Sequence, residues 1–115
     1  MTDIVYKIVP ETLWRQAKQK GTFEGAEIDL KDGYIHLSTG QQARETARLH
    51  FAGIVGLLLV AVDATILGDA LKYEPSRGGE LFPHLYSLLS TSAVLWEMPL
   101  LIGVDGQHAF PEIMP

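Results

Sequence analysis

The sequence has no cysteine, no cluster of basic residues and no long hydrophobic run. Without cysteine it can form no disulfide, thiolate nucleophile or cysteine-ligated zinc site. Nine basic and 14 acidic residues give a net charge of −5. This balance argues against non-specific nucleic-acid binding, which needs several cations to neutralise phosphates. The most apolar stretch, residues 51–62, has about 12 residues, whereas a membrane span needs about 20.

What is present is typical of one folded domain. The 115 residues are 47% hydrophobic and 20% charged, which suits a single domain, residues 1–115, with one core. No signal peptide is predicted, because Asp3 lies near the start and no cationic segment precedes an apolar run. Together with the lack of cysteine, this favours a cytoplasmic protein with no membrane partner.

Hydrophobic patterns predict the order β-α-β-α-β-β-loop-β-β. Strands are predicted at residues 4–9, 34–37, 57–62, 71–75, 92–103 and 107–113, and helices at 11–20 and from Thr39 to the glycines Gly53 and Gly56. Residues 21–33 are predicted to be a loop, and residues 76–87 fit no element. The expected fold is α+β, with two helices on a mixed, mainly antiparallel sheet.

The first candidate site is the segment "YIHLST", where a strand leads into a helix. Alternate strand residues share a face, so Tyr34, His36 and Ser38 lie opposite the core residues Ile35 and Leu37. The following helix start, with Ser38 or Thr39 as its cap, favours anions such as phosphate. A half-buried histidine beside an ordinary cap is the structural alternative.

The second candidate site is "SRGGELFPHLYS". If this segment is extended, Phe82, His84 and Tyr86 share a face, and His84 could stack on a planar ring or donate a proton. Arg77, followed by two glycines, could close over an anion. The alternatives are a packed loop and a solvated arginine.

Acids and metal ligands give weaker signals. Glu74 and Glu97 lie in predicted strands and are either surface residues or members of a catalytic pair of acids. The four histidines have no HxxxH or HxH spacing, so no metal site is predicted. The phosphate-binding and serine-hydrolase motifs GxGxxG, GxxxxGK[ST] and GxSxG do not occur.

Several segments together resemble a bacterial family, domain of unknown function nine-fifty-two. They are "YKIVPETLWRQAKQKGTFEG", "DGYIHLST", "ALKYEPSRGGELFPHLY" and "GVDGQHAFP". The resemblance extends over residues 4–111, and the combination of "DGYIHLS" with "FPHLY" is its most specific part. This family has been grouped with the ADP-ribosyltransferase-like fold, a split and mostly antiparallel sheet that holds NAD in a cleft.

The resemblance implies a function and roles for individual residues. The protein would be an NAD- or ADP-ribosyl-binding protein, either a glycosyl (ADP-ribosyl) transferase or a degenerate relative, with NAD as substrate and no metal. His36 would hold a ribose hydroxyl, Tyr73 or Tyr86 would stack the base, and Glu97 or Glu74 would stabilise the ribosyl centre. Arg77 or the helix start would meet phosphate. The alternative is a non-catalytic module that binds a small metabolite or a partner protein through residues 76–87.

Overall fold

A three-stranded antiparallel sheet forms the centre of the fold. In the computed structural model, which describes residues 3–112 apart from the side chain of Arg77, its strands are β1 (Ile4–Pro10), β4 (Leu57–Asp63) and β8 (Val94–Leu100), in the order β1-β4-β8. All residues from Leu57 to Val62 are buried. The prediction of a central strand covered on both faces is therefore confirmed. Pro99 lies on the edge strand β8, where the missing N–H of proline is readily tolerated.

A second sheet carries both candidate segments. It consists of β3 (Ile35–His36), β6 (Leu81–Leu85) and β5 (Leu71–Pro75), in the order β3-β6-β5. A third sheet pairs β2 (Thr22–Phe23) with β7 (Leu89–Ser90). Every strand pairing that the structure describes is antiparallel. The mainly antiparallel α+β fold is therefore confirmed.

Within residues 3–112, four helices accompany these sheets, rather than the two predicted. They are α1 (Glu11–Lys20), α2 (Glu27–Asp32), α3 (Ala43–His50) and α4 (Ala64–Leu67). The structure confirms α1 at its predicted bounds, and Gly21 ends it in the left-handed conformation, with φ of 86°. Short 3-10 turns occupy Gly68–Ala70, Arg77–Gly79 and Thr91–Ala93.

Three local predictions were wrong. Residues 21–33 are not a loop, since they contain β2 and α2. The second helix begins at Ala43 rather than Thr39, because residues 40–42 form a turn. In place of the strand predicted at 107–113, the described residues show only an isolated bridge between Ile102 and His108, and residue 113 lies outside the described part.

The core lies on both faces of the central sheet. Alternate residues of β1 and β4 face opposite sides, as strand geometry requires. One set, including Val9 and Val60, packs with Trp14. The other set, including Ile8 and Leu59, packs with α3. Ile35 of β3 and Leu37, which follows this strand, are only 2% and 3% exposed. This confirms that both residues face the core.

Candidate functional site

A cavity of about 520 Å³ lies between β1, α3 and the β3-β6 pair. Its polar lining includes Asp32, His36, Ser38, His50 and His84. The apolar lining includes Ile8, Phe51 and Phe82. This volume and this mixture of an apolar wall with a few polar groups are typical of small-molecule sites.

The two candidate histidines meet in this cavity because their strands are paired. His36 of β3 lies directly opposite His84 of β6, and cross-strand partners point to the same face of a sheet. Their ring centroids are 5.7 Å apart. The two segments that looked separate along the sequence therefore form one site.

Both ring nitrogens of His36 contact carboxylates of α2. Nδ1 lies 2.7 Å from Oδ1 of Asp29, and Nε2 lies 2.9 Å from Oδ2 of Asp32. The backbone N–H of His36 also donates to Asp29. Because β3 has only two residues, it has few backbone hydrogen bonds to its neighbouring strand. The bonds to Asp29 and Asp32 therefore hold His36 in place.

Asp29 is the centre of a buried polar network. It is 2% exposed and accepts from the backbone N–H of Ala26 as well as from His36. The ammonium of Lys7 lies 2.8 Å from Oδ2 of Asp29, and it also donates to the carbonyl of His36 at 3.0 Å. Lys7 lines the cavity, but its charge is already matched by this carboxylate.

The surroundings of Asp29 and Lys7 shift their protonation equilibria. Burial alone would raise the pKa of Asp29, but the hydrogen bond from His36 and the charge of Lys7 outweigh it and lower the pKa to about 2. Burial lowers the pKa of Lys7 from its usual value, and Asp29 opposes that change. Each member of this ion pair therefore stabilises the charged form of the other.

His84 is held by a carboxylate from the neighbouring strand. Its Nδ1 lies 2.9 Å from Oε1 of Glu74, and the hydroxyl of Tyr86 donates to the same oxygen at 2.6 Å. Both bonds lower the pKa of Glu74, and the bond from Tyr86 has the larger influence. The bond to Glu74 also raises the pKa of Tyr86 to about 12. Tyr34 stacks on His84, with ring centroids 4.1 Å apart.

Ser38 and Thr39 are engaged by the protein itself. Ser38 pairs with Tyr6 through both backbone groups, and its hydroxyl lies 3.0 Å from that of Thr46. Thr39 and Gln42 exchange the reciprocal bonds of a capping box, which confirms that pairing. Thr39 does not line the cavity, whereas Ser38 does.

The remaining candidates lie elsewhere or act indirectly. Glu97 is bound by the indole of Trp14 and, at 2.8 Å, by Lys18, and it does not line the cavity. Tyr73 is 46% exposed; neither it nor Tyr86 lines the cavity. The side chain of Arg77 lies outside the described part, although the neighbouring Ser76 lines the cavity.

The sequence reasoning missed several members of the site. Lys7, Asp29, Asp32, Thr46 and His50 either line the cavity or hold its histidines. Asp29 and Asp32 lie on one face of α2, because residues three apart share a helix face, but no sequence pattern indicated that helix. Lys7 gave no signal either, since its partner is 22 residues away.

Neither a metal-binding cluster nor a membrane-spanning helix is found among the described residues. Within residues 3–112, no group of three or more His, Asp or Glu side chains is arranged to hold a metal ion. None of the helices in that range is long and apolar enough to span a bilayer.

Known proteins with similar sequence and structure lead to a family. Residues 8–97 match the family model described as Protein of unknown function (DUF952). The chain is similar to the crystal structure of protein CC0527 from Caulobacter crescentus, with 49% identity, a TM-score of 0.88, and coverage of 92% of this chain and 93% of that one. The solution NMR structure of CC0527 gives 50% identity, a TM-score of 0.82 and 90% coverage of each chain. No curated protein matches. The chain belongs to the DUF952 family of proteins of unknown function.

Proposed function

We propose that the cavity binds a ribosyl nucleotide of the NAD or ADP-ribose type and that the protein is an ADP-ribosyltransferase-like enzyme. The observation that carries this proposal is the presence of His36 and His84 in one cavity, on paired strands. The resemblance of "YIHLS" to the ribose-binding motif of that fold gives His36 its proposed association with the nucleotide.

The lining of the cavity is suited to such a ligand. Phe51 and Phe82 offer aromatic surfaces on which a planar base can stack. These two residues take the place that Tyr73 or Tyr86 would have filled. His84 and Asp32 lie on the polar side and suit the sugar, because hydroxyl groups pair with imidazole nitrogens and carboxylates.

The phosphates of the ligand need a separate partner. The polar wall of the cavity contains Asp32, which is acidic, and Lys7, whose charge is matched by Asp29. Lys7 is therefore not available to neutralise a phosphate. Arg77 follows the cavity-lining Ser76, and guanidinium groups bind phosphate through two parallel hydrogen bonds. We therefore assign the phosphate contact to Arg77.

Calorimetric titration with NAD, ADP-ribose and AMP tests the proposal. Wild-type protein is expected to bind at least one of them, and His36→Ala to weaken binding by about tenfold or more. His108→Ala is the matched control, because His108 lies outside this cavity and bonds the carbonyl of Ile54. No binding of any of the three to wild-type protein at millimolar concentration would overturn the proposal.

A second measurement distinguishes turnover from binding. Release of nicotinamide from NAD is expected from an active transferase or hydrolase, whereas titration heat without nicotinamide release identifies a protein that only binds. If no nucleotide binds and a partner protein is retained in a pull-down through residues 76–87, the binding-module alternative replaces the proposal.

A further inference from the structure

Asp32 and His84 each bring to the cavity one polar atom that lacks a hydrogen-bond partner among residues 3–112. Asp32 bonds His36 through Oδ2 alone, which leaves Oδ1 without a partner. His84 bonds Glu74 through Nδ1 alone, which leaves Nε2 without one. No buried side-chain nitrogen or oxygen in this part of the chain is unsatisfied, so Nε2 of His84 is not sealed in the interior.

Both atoms can accept a hydrogen bond. A carboxylate such as Glu74 can only accept hydrogen bonds, so Nδ1 of His84 must donate to it. In the neutral imidazole the other nitrogen, Nε2, then carries the lone pair. The free Oδ1 of Asp32 also accepts. Asp32 and His84 therefore offer two acceptors to a ligand, and a ligand that bridges them must bring two donors.

His36 is occupied in a different way. Its two ring nitrogens contact Asp29 and Asp32, so it can bind a ligand only by giving up a carboxylate. Its contacts also connect Asp32 to the buried ion pair of Asp29 with Lys7. These bonds fix the position of Asp32, whose side chain is 36% exposed and lines the cavity.

We infer that Asp32 and His84 bind the vicinal diol of a ribose, with Asp32 accepting a hydrogen bond from the 2′-hydroxyl and His84 accepting one from the 3′-hydroxyl, and that His36 is a positioning residue for Asp32. This inference rests on the proposed function and names the part of the nucleotide that the polar wall recognises. A diol supplies two O–H donors, and carboxylates bind ribose hydroxyls in dinucleotide-binding folds. A phosphate supplies only acceptors and is repelled by Asp32.

The test compares ribonucleosides with their 2′-deoxy forms. Adenosine, nicotinamide riboside and their 2′-deoxy counterparts are titrated into wild-type protein, together with NAD. The wild type is expected to bind the riboside about tenfold or more tightly than the 2′-deoxy form, because one hydroxyl contact is lost. Asp32→Asn is expected to bring this ratio close to one, and the 2′-deoxy affinity is expected to change little.

Two further variants complete the experiment. Asp69→Asn makes the same charge change on an exposed turn and is expected to keep the wild-type ratio. As a single substitution, His36→Gln is expected to lower the ratio of riboside to 2′-deoxy affinity. When it is combined with Asp32→Asn, it is expected to lower that ratio no further, because it acts through Asp32. A further loss there would show that His36 touches the ligand, and the assignment would be wrong.

The outcomes separate this inference from the proposed function. If NAD binds and Asp32→Asn keeps the wild-type ratio, or if the wild type does not discriminate against the 2′-deoxy form, the inference fails and the proposed function stands. If the wild type binds no nucleotide or nucleoside, both are overturned.

Discussion

Asp29 is predicted to link the stability of the fold to pH. Its pKa falls from an ordinary value of 3.8 to about 2 in the folded protein. The difference corresponds to about 2.5 kcal/mol of stability at neutral pH. Because the folded pKa lies below the unfolded one, the stabilisation is complete above about pH 5 and is lost as the pH falls towards 2. Roughly 1 kcal/mol is expected to be lost by pH 3.

Substitution of either partner should reveal the network around Asp29. Asp29→Asn leaves the ammonium of Lys7, which is 5% exposed, without its matching negative charge, while the carbonyl of His36 still accepts a hydrogen bond from it. Removing one partner of a buried pair costs about 3–5 kcal/mol. Lys7→Met is expected to cost less, about 1–3 kcal/mol, because Asp29 keeps its bonds from His36 and from the Ala26 N–H.

Urea unfolding followed by tryptophan fluorescence measures these effects. Wild type, Asp29→Asn and the control Asp69→Asn are compared at pH 7, 5 and 3. The free energy of unfolding of wild type and control should fall between pH 5 and 3 by roughly 1 kcal/mol more than that of Asp29→Asn. An equal fall in all three proteins, or a larger cost for Lys7→Met than for Asp29→Asn at pH 7, would refute the reasoning.

Three further predictions concern local features. Gly33 ends α2 at φ of 87° with open space around it, so Gly33→Ala should cost about 1–2 kcal/mol through backbone strain alone, seen as a lower Tm; an unchanged Tm contradicts this. Gln42→Ala removes side-chain bonds to Thr39 and to the Leu81 carbonyl and should cost about 1–3 kcal/mol in urea unfolding, whereas a cost near zero would show that water replaces them. In Glu74→Gln, spectrophotometric titration should show the pKa of Tyr86 falling from about 12 towards 10, and a pKa that stays high would mean that another group holds that proton.

Local sequence signals explain the elements that were predicted well. The helix over Glu11–Lys20 follows Pro10 and ends at Gly21, and the structure confirms both bounds. Ile35 and Leu37 face the core because strand alternation needs no distant information. In these cases the residues that decide the conformation lie within a few positions of one another.

Non-local contacts explain what was missed. The helix α2 has six residues, and its buried face carries Asp29 instead of an apolar residue, so no hydrophobic period marks it. The reason for its burial, Lys7, lies 22 residues away. The strand β6 was not predicted, because it contains Pro83 and proline is rarely found in a central strand. Neither feature could be derived without the tertiary pairing.

The candidate site shows the same division. Strand alternation predicted which face of its strand His36 occupies. It made the same prediction for His84, provided that residues 76–87 are extended. Only the pairing of β3 with β6 shows that the two side chains meet in one cavity. The proposed role of Glu97 rested on its position in a late strand. Its carboxylate is instead bound by Trp14, which is 83 residues earlier in the chain.

The two walls of the cavity differ in how freely they can evolve. The polar wall is connected to the interior through the ion pair of Lys7 and Asp29. Most substitutions in this wall will therefore be eliminated because they lower the stability of the fold, whatever their effect on a ligand. The aromatic wall consists of Phe51, which follows α3, and Phe82 of β6, and neither is a member of the ion pair. Relatives of this protein can therefore diverge in the aromatic wall while they retain the same polar groups.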